Sequence, residues 1–195
     1  MDIILASTSA YRRQLLGRLQ IPFRCLSPGT PEEQLPEEEP AAMAGRLALA
    51  KAKAISTQHP SALVIGSDQV AALDGRIMGK PGNHEMARAQ LQASSGRTVH
   101  FYTGVALSCA ARKLQKCHVE LFSAHFRELA DSSIENYLLR EEPYDCAGSF
   151  KCEGLGIALF RRLEGNDPTS LEGLPLIALT GLLAEAGVAV LDGAP

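Results

Sequence analysis

Two long strand patterns in the middle of the chain constrain the fold most. The segments Thr98–Ala110 and Cys117–Phe126 both predict strands, and the basic turn Ala111–Lys116 joins them. A connection this short links antiparallel neighbours, because parallel neighbours need a crossover of a dozen or more residues. Elsewhere the predicted strands and helices interleave, as they do in α/β proteins. The sequence therefore predicts an α/β fold whose sheet is mixed rather than purely parallel.

Hydrophobic periodicity and turn residues place the remaining elements. Further strands are predicted at 2–6, 22–26, 62–66 and 155–160, a hairpin at 70–78, a loop at 28–40, and helices at 10–19, 40–58, 83–93, 131–140 and 175–186. We expect Asn83 to cap the third helix. Asp131 or Ser132 is expected to cap the fourth helix, and Gly187 to end the last.

Composition excludes several classes of partner. Of the 195 residues, 46% are hydrophobic and 21% are charged, and the net charge is −3. That balance suits a folded core and argues against a nucleic-acid polymer or an anionic membrane as partner. No apolar run approaches the roughly 20 residues that span a bilayer, and no secretory leader precedes the first strand. We therefore expect a cytoplasmic protein.

The cysteines point to the same compartment. The chain has five, at positions 25, 109, 117, 146 and 152, and none forms a Cys-x-x-Cys pair. An odd count without that spacing argues against a disulfide framework or a structural zinc site. Free thiols in a reducing cytosol are the expectation.

The start of the chain offers a candidate anion site. The strand pattern 2–6 leads into Ser7 and Ser9, and the helix that follows carries Arg12 and Arg13 in its first turn. Positive charge at that end opposes the helix dipole, whereas hydroxyls, free N–H groups and guanidinium groups together suit a phosphate. The alternative is an ordinary strand–loop–helix with Ser9 as N-cap and both arginines in solvent. These residues alone favour neither interpretation.

Three later segments carry further candidate chemistry. Asp68 and Gln69 follow the strand pattern 62–66, and the carboxyl end of a strand is where α/β proteins often bind ligands. Lys80 stands between a glycine and a rigid proline, and the segment 146–154 combines two glycines with Lys151 and Glu153. Taken singly, a turn-forming aspartate, a solvated lysine and an irregular turn explain each of them as well.

The order of these motifs resembles that of the Maf family, over about residues 3–183. The matching segments are Ser7-Thr8-Ser9, Arg12-Arg13, Glu32, Lys51, Gly66-Ser67-Asp68-Gln69, Gly79-Lys80-Pro81, Ser95-Gly96, Thr103-Gly104, Ala147 to Gly154 and Gly173-Leu174-Pro175-Leu176. Members of this family are nucleoside triphosphate pyrophosphatases, related in fold to the inosine triphosphatases. The resemblance implies one domain over residues 1–195, with an elongated mixed β-sheet flanked by helices, two lobes and a central cleft. It also makes a homodimer plausible.

The resemblance further implies hydrolysis between the α and β phosphates of a nucleoside triphosphate, with a divalent metal, Mg or Mn. Cationic groups are needed there to neutralise the polyphosphate. The implied roles are proton acceptor for Asp68; catalytic cations for Lys51 and Lys80; phosphate binding for Ser7, Ser9, Arg12 and Arg13; and metal binding for Glu32 and Asp68. The family usually has Asp-Glu in the loop after the second strand. Pro31 replaces the aspartate here, so one ligand is either missing or supplied by Glu33.

Substrate choice is implied by three positions, Tyr11, Gln69 and Glu153. Gln69 and the sequence Phe-Lys-x-Glu-Gly around Glu153 are similar to the branch that hydrolyses 7-methyl-GTP. Methylation at N7 makes the base cationic, so a carboxylate and a stacking aromatic ring favour it. Two alternatives stay open: a dTTP/UTP pyrophosphatase, whose branch typically has Thr and Gln at the two motif positions, and a nucleotide-binding regulator of septum formation.

Overall fold

The computed structural model describes residues 1–192 and is built on one seven-stranded sheet. The strands are β1 (Ile3–Ala6), β2 (Arg24–Leu26), β3 (Leu63–Leu73), β4 (Arg76–Met78), β5 (Thr98–Cys109), β6 (Leu114–Phe126) and β7 (Phe160–Gly165). The helices are α1 (Ala10–Gly17), α2 (Pro40–Gln58), α3 (His84–Ser94), α4 (Asp131–Glu141) and α5 (Leu176–Glu185), with short 3₁₀ turns at 147–149, 155–159 and 168–170. Among these residues, no helix has the length and apolar character that crossing a bilayer requires.

The sheet is mixed, as predicted. Its strand order is β2-β1-β3-β5-β6-β7, with β4 paired to β3 outside this path. β1 runs parallel to β2 and β3, whereas β3, β5, β6 and β7 are successively antiparallel. Asn83 caps α3 as predicted, because its Oδ1 accepts from the amide of Met86. Gly187 follows the end of α5 with a positive φ of 86°, also as predicted.

The prediction that Asp68 and Gln69 follow the end of a strand is wrong. The predicted strand 62–66 and the first half of the predicted hairpin are one strand, β3, of 11 residues. Both residues lie in the middle of it, where Asp68 is opposite Gly104 and Gln69 is opposite Thr103 of β5. The backbone hydrogen bonds to β5 keep residues 67–69 in the strand conformation although their side chains are polar.

Two smaller predictions are also wrong. Residues 155–159 form a 3₁₀ turn, and β7 begins only at Phe160. At Gly156 an added Cβ would lie 2.3 Å from the carbonyl oxygen of Lys151, so the chain is folded tightly against itself there. Neither Asp131 nor Ser132 caps α4: Ala130 is the N-cap and no side chain bonds to that end.

Glycines let α2 approach one face of the sheet closely. A Cβ added to Gly66 would lie 2.2 Å from the carbonyl oxygen of Ala48, and one added to Gly104 would lie 2.3 Å from that of Ala44. The helix therefore packs with its backbone against β3 and β5. This contact fixes the height of every α2 side chain above the middle of the sheet.

The hydrophobic core is interrupted at the same place on the other face. One cluster joins α1 and α5 to the sheet and includes Ile65 and Val105; a second joins α3 and α4 to the sheet and includes Ala71 and Phe101. Between them β3 and β5 carry polar residues, all of which face a break in the apolar packing. These are Ser67, Gln69 and Thr103.

Candidate active site

A buried lysine lies between two carboxylates beside the sheet. Lys51, on α2, is 5% exposed; its Nζ lies 2.6 Å from Oδ1 of Asp68 and also contacts Oε1 of Glu32. Burial disfavours ionisation of Glu32, but the hydrogen bond from Lys51 and the charges of Lys51, Lys80 and Arg12 outweigh it. The pKa of Glu32 is therefore lowered from its ordinary value. The cluster therefore favours the charged form of Glu32, and it places two carboxyl groups around one amine.

The N-terminus of α1 turns toward this cluster. Ser9 is the N-cap and its Oγ accepts from the amide of Arg12, while Ser7 Oγ accepts from the amide of Ser9. The Nε of Arg12 donates to the carbonyl oxygen of Gly173 at 2.9 Å, which fixes the guanidinium group. Burial lowers the pKa of Arg12, and the charges of Asp68 and Glu32 oppose that shift. Ser9 is thus both the helix cap and a neighbour of the cationic group.

Lys80 approaches from the loop between β4 and α3. The carbonyl of Gly79 accepts from Nε2 of Gln90, and the amide of Gly82 donates to the carbonyl of Tyr144. These bonds tie the loop to α3 on one side and to the segment after α4 on the other. The exposed Lys80 side chain is consequently supported from both ends of its loop.

Three adjoining cavities share Arg12 and Lys80. The Ser7 cavity is also lined by Ser9, Thr30, Glu32 and Lys51; the Asp68 cavity by Glu32, Lys51, Asp68 and Gln69; the Glu153 cavity by Tyr11, Gln69, Phe150 and Glu153. Ten of the eleven residues singled out from the sequence therefore line one connected cleft. They reach it from six different segments of the chain.

The Glu153 cavity combines aromatic surface with carboxylates. Partial burial raises the pKa of Tyr11, and the nearby charge and hydrogen bond of Glu153 raise it further, so the ring and the carboxylate are close neighbours. Burial also raises the pKa of the Cys152 thiol to about 12, with Glu153 adding to the shift. The walls offer a neutral phenol, a neutral thiol and a negative charge.

Gln69 enters this cavity with its amide already bonded to the protein. Its Nε2 donates to Thr103 Oγ1 at 3.1 Å, to the carbonyl oxygen of Ser170 at 2.8 Å and to that of Leu171 at 3.1 Å. A glutamine amide that is free of other contacts offers a ligand both donors and an acceptor. The donors of Gln69 are occupied, so Oε1 is the atom that remains.

The eleventh residue, Arg13, lies apart from the cleft, and so does Glu33, the alternative to the acid missing at Pro31. Arg13 is exposed and lines none of the three cavities, because successive helix residues point about 100° apart and Arg12 takes the inward direction. Glu33 is also exposed and lines none of them, so the structure does not bring it to Glu32 as a second acid. Lys151, from the same motif as Glu153, donates to the carbonyl of Glu141 and thereby secures the end of α4.

The donor set fits a magnesium-like ion that shares its shell with water and substrate. Glu32 and Asp68 are oxygen donors that meet at one point, Lys51. Within residues 1–192, no group of three or more His, Cys, Asp or Glu side chains forms a metal cage. Mg²⁺ is commonly bound by one or two carboxylates together with substrate phosphates, so two are sufficient. Thr30 Oγ1 is buried in the Ser7 cavity region and has no hydrogen-bond partner among residues 1–192, so it is a further oxygen nearby.

Three residues in or behind the cleft were given no individual role from the sequence. Glu172 adds a second carboxylate to the Glu153 cavity, where Arg18 bonds to it at 2.9 Å. Gly173 supplies the carbonyl that holds Arg12, and Thr103 holds Gln69. The motif matches at 103–104 and 173–176 marked two of these places, but their contacts depend on segments distant in sequence.

Known proteins resemble this chain over nearly its whole length. A family model described as Maf-like protein matches residues 2–186. A 7-methyl-GTP pyrophosphatase of Xanthomonas axonopodis is 54% identical over 185 residues, covering 95% of this chain and 96% of that protein. A 7-methyl-GTP pyrophosphatase of Nitrosococcus oceani is 52% identical over 189 residues, covering 97% of this chain and 95% of that protein. Among solved structures, a HAM1 protein from Coxiella burnetii has a TM-score of 0.57 at 14% identity, covering 95% and 99% of the two chains, which shows a shared fold.

Proposed function

Because this chain belongs to the Maf family, we propose that it is a nucleoside triphosphate pyrophosphatase that acts on 7-methyl-GTP. It is a hydrolase of acid anhydrides, and the products are 7-methyl-GMP and pyrophosphate. The observation that carries the proposal is that two kinds of site lie in one cleft. The Lys51–Glu32–Asp68 cluster lines one cavity, Tyr11 and Glu153 line the next, and Arg12 and Lys80 line both. One end of that cleft suits a polyphosphate and the other a cationic base.

Asp68 is the proposed proton acceptor. Lys51 donates to its Oδ1 at 2.6 Å, and no hydrogen bond from residues 1–192 reaches Oδ2. That oxygen is the one left to take a proton from an attacking water. Proton transfer by a positioned side chain contributes about 10²–10⁴-fold to rate. Asp68 lies in the middle of β3, where the ladder to β5 fixes the backbone.

The phosphates are proposed to lie along the Ser7 cavity. Ser7, Ser9 and the start of α1 offer hydroxyl and backbone donors, and Arg12 and Lys80 place positive charge at the junction of the three cavities. These groups neutralise charge that develops on the leaving pyrophosphate. Arg13 is kept as a proposed contact only for the distal end of the polyphosphate, because it is exposed outside the cavities.

Glu32 and Asp68 are the residues proposed to hold a divalent metal, Mg or Mn, with Lys51 between them. When bound, such an ion supplies positive charge that polarises the phosphate oxygens. Lys51 then fixes the two carboxylates and limits their repulsion. We propose that Glu33 takes no part, since it is exposed away from the cleft.

Base selection is proposed for Tyr11, Gln69 and Glu153. A ring cation over an aromatic face gains about 0.5–2 kcal/mol, and the carboxylate of Glu153 adds charge complementarity. A neutral pyrimidine brings no such charge. The same residues argue against the dTTP/UTP activity, and the assembled Asp68–Lys51 pair argues for an enzyme over a nucleotide-binding regulator.

The test is pyrophosphate release from 7-methyl-GTP, GTP, dTTP and UTP with Mg²⁺, with products separated to identify the bond cleaved. We expect the highest kcat/KM for 7-methyl-GTP and a monophosphate product. A preference for dTTP and UTP would support the pyrimidine alternative. Tight nucleotide binding with no pyrophosphate from any substrate would support the regulator. Release of inorganic phosphate and a diphosphate would overturn α–β cleavage.

Location and assembly are further proposals. All five cysteines are unpaired, which supports a reducing cytosol. A homodimer and a single folding unit over residues 1–195 are proposed from the family. Light scattering on the purified protein gives the assembly state directly.

A further inference from the structure

Gln69 and Thr103 are a directly opposed pair in the ladder between β3 and β5. Thr103 is fully buried, and its Oγ1 lies 3.1 Å from Nε2 of Gln69 and 2.9 Å from the carbonyl oxygen of Ser170. One hydroxyl therefore accepts from the amide and donates to the carbonyl. Thr103 lines none of the three cavities, so it reaches a ligand only through Gln69.

The orientation of the Gln69 amide is fixed by its partners. The carbonyl oxygens of Ser170 and Leu171 accept hydrogen bonds and cannot donate them, so Nε2 and not Oε1 faces them. Two N–H groups are shared among three acceptors, which leaves none for a ligand. The side chain lines the Glu153 cavity, and Oε1 accepts no hydrogen bond from the part of the chain that the structure describes.

We propose that Thr103 is a positioning residue for base selection. Together with the carbonyls of Ser170 and Leu171 it holds Gln69 so that Oε1 is presented to the base as a hydrogen-bond acceptor. This inference rests on the proposed nucleotide hydrolysis and deepens it. An acceptor at this place favours a base edge with adjacent N–H donors, as the ring N–H and amino group of guanine provide. Uracil offers one N–H between two carbonyl oxygens, so it pairs poorly with a fixed acceptor.

Two substitutions at position 103 separate the contribution of the hydroxyl group from that of the side-chain shape. Thr103→Val keeps the branched volume and removes the hydroxyl, which takes away one of the three acceptors around Nε2 of Gln69 and one of the two donors to the carbonyl of Ser170. Thr103→Ser keeps the hydroxyl and loses a methyl group. A role through the hydroxyl predicts that serine retains selectivity and valine does not, whereas a role in packing predicts the reverse.

The experiment measures kcat/KM for pyrophosphate release from 7-methyl-GTP and UTP. Wild type, Thr103→Val, Thr103→Ser, Gln69→Leu and the double variant Thr103→Val/Gln69→Leu are compared. We expect Thr103→Val to reduce the ratio of the two constants by about tenfold, mainly through KM for 7-methyl-GTP. Thr103→Ser should stay within about twofold of wild type. In the Gln69→Leu background, Thr103→Val should change the ratio no further.

An unchanged ratio in Thr103→Val, or an equal loss with and without Gln69, would overturn the proposal. If Thr103→Val fails to fold by circular dichroism, Thr103→Ala takes its place in the same comparison. If wild type hydrolyses neither nucleotide, the proposed function fails on its own. Thr103 is then judged by the Kd for UMP divided by the Kd for 7-methyl-GMP, and we expect Thr103→Val to lower this ratio.

Discussion

Asp68 and Gln69 are neighbours in β3 that face opposite sides of the sheet. Asp68 meets Lys51 of α2 on one side, and Gln69 meets Thr103 and the 170–171 carbonyls on the other. The alternation of a strand produces this division, because successive side chains point to opposite faces. A single extended segment thus contributes to the polyphosphate end and to the base end of the cleft.

Asp68→Asn should preserve folding and nucleotide binding while removing turnover. Asparagine is nearly isosteric and can still contact Lys51, but it does not accept a proton from water near neutral pH. We expect kcat to fall by about 10²–10⁴-fold with little change in nucleotide Kd. Single-turnover kinetics and calorimetric binding measure the two quantities. Turnover equal to wild type would remove Asp68 from the mechanism.

The lowered pKa of Glu32 links the free energy of unfolding to pH. A carboxyl whose pKa is depressed by folding stabilises the folded state above its unfolded pKa, and that contribution is lost as pH falls through the folded pKa. Glu32→Gln should therefore be less stable than wild type near pH 7. The difference should shrink as pH falls below the ordinary value of 4.5. Denaturant unfolding of both proteins across this range tests it, and a pH-independent difference would contradict the assignment.

The sequence contained most of the site but not its geometry. The motif order identified Lys51, Asp68, Lys80 and Glu153, and all of them line the cleft. The hydrophobic pattern predicted that Asp68 lies at the end of a strand, because Gly66 and two polar residues interrupt that pattern. The continuation of β3 depends on pairing with β5, a non-local contact that periodicity does not report.

The contacts of Gln69 could not be predicted from the local sequence either. Its amide bonds to carbonyls about 100 positions away along the chain. The difference between Arg12 and Arg13 has a similar origin, because the carbonyl of Gly173 selects which of the two arginines is fixed inward. Residue type predicted which side chains carry chemistry, and long-range packing decided which of them face the cleft.

Gly104→Ala should damage both stability and activity. The added Cβ would lie 2.3 Å from the carbonyl oxygen of Ala44, so α2 must move away from the sheet and carry Lys51 with it. Overpacking of this kind costs about 1–3 kcal/mol. Gly181→Ala is the matched control, since within residues 1–192 no atom outside the adjoining helix backbone lies within 4 Å of its added Cβ, and alanine is the better helix former. Thermal unfolding and kcat of both variants check the prediction, and wild-type behaviour of Gly104→Ala would contradict the close approach of α2.

Glu153→Gln should weaken selection of the methylated base. The substitution keeps the size of the side chain and removes the negative charge beside Tyr11, so a cationic base loses more binding than a neutral one. Because Glu153 is exposed, water screens the interaction, and we expect only about a two- to fivefold fall in the ratio of kcat/KM for 7-methyl-GTP over GTP. Glu172→Gln is the control. Because Arg18 already pairs with that carboxylate, the ratio of kcat/KM for 7-methyl-GTP over GTP should change less in this variant than in Glu153→Gln. As salt increases, the ratio for wild type should approach the ratio for each variant, since added ions screen the exposed charge that the substitution removes. If Glu153→Gln leaves the ratio at the wild-type value in low salt, charge recognition by Glu153 is wrong.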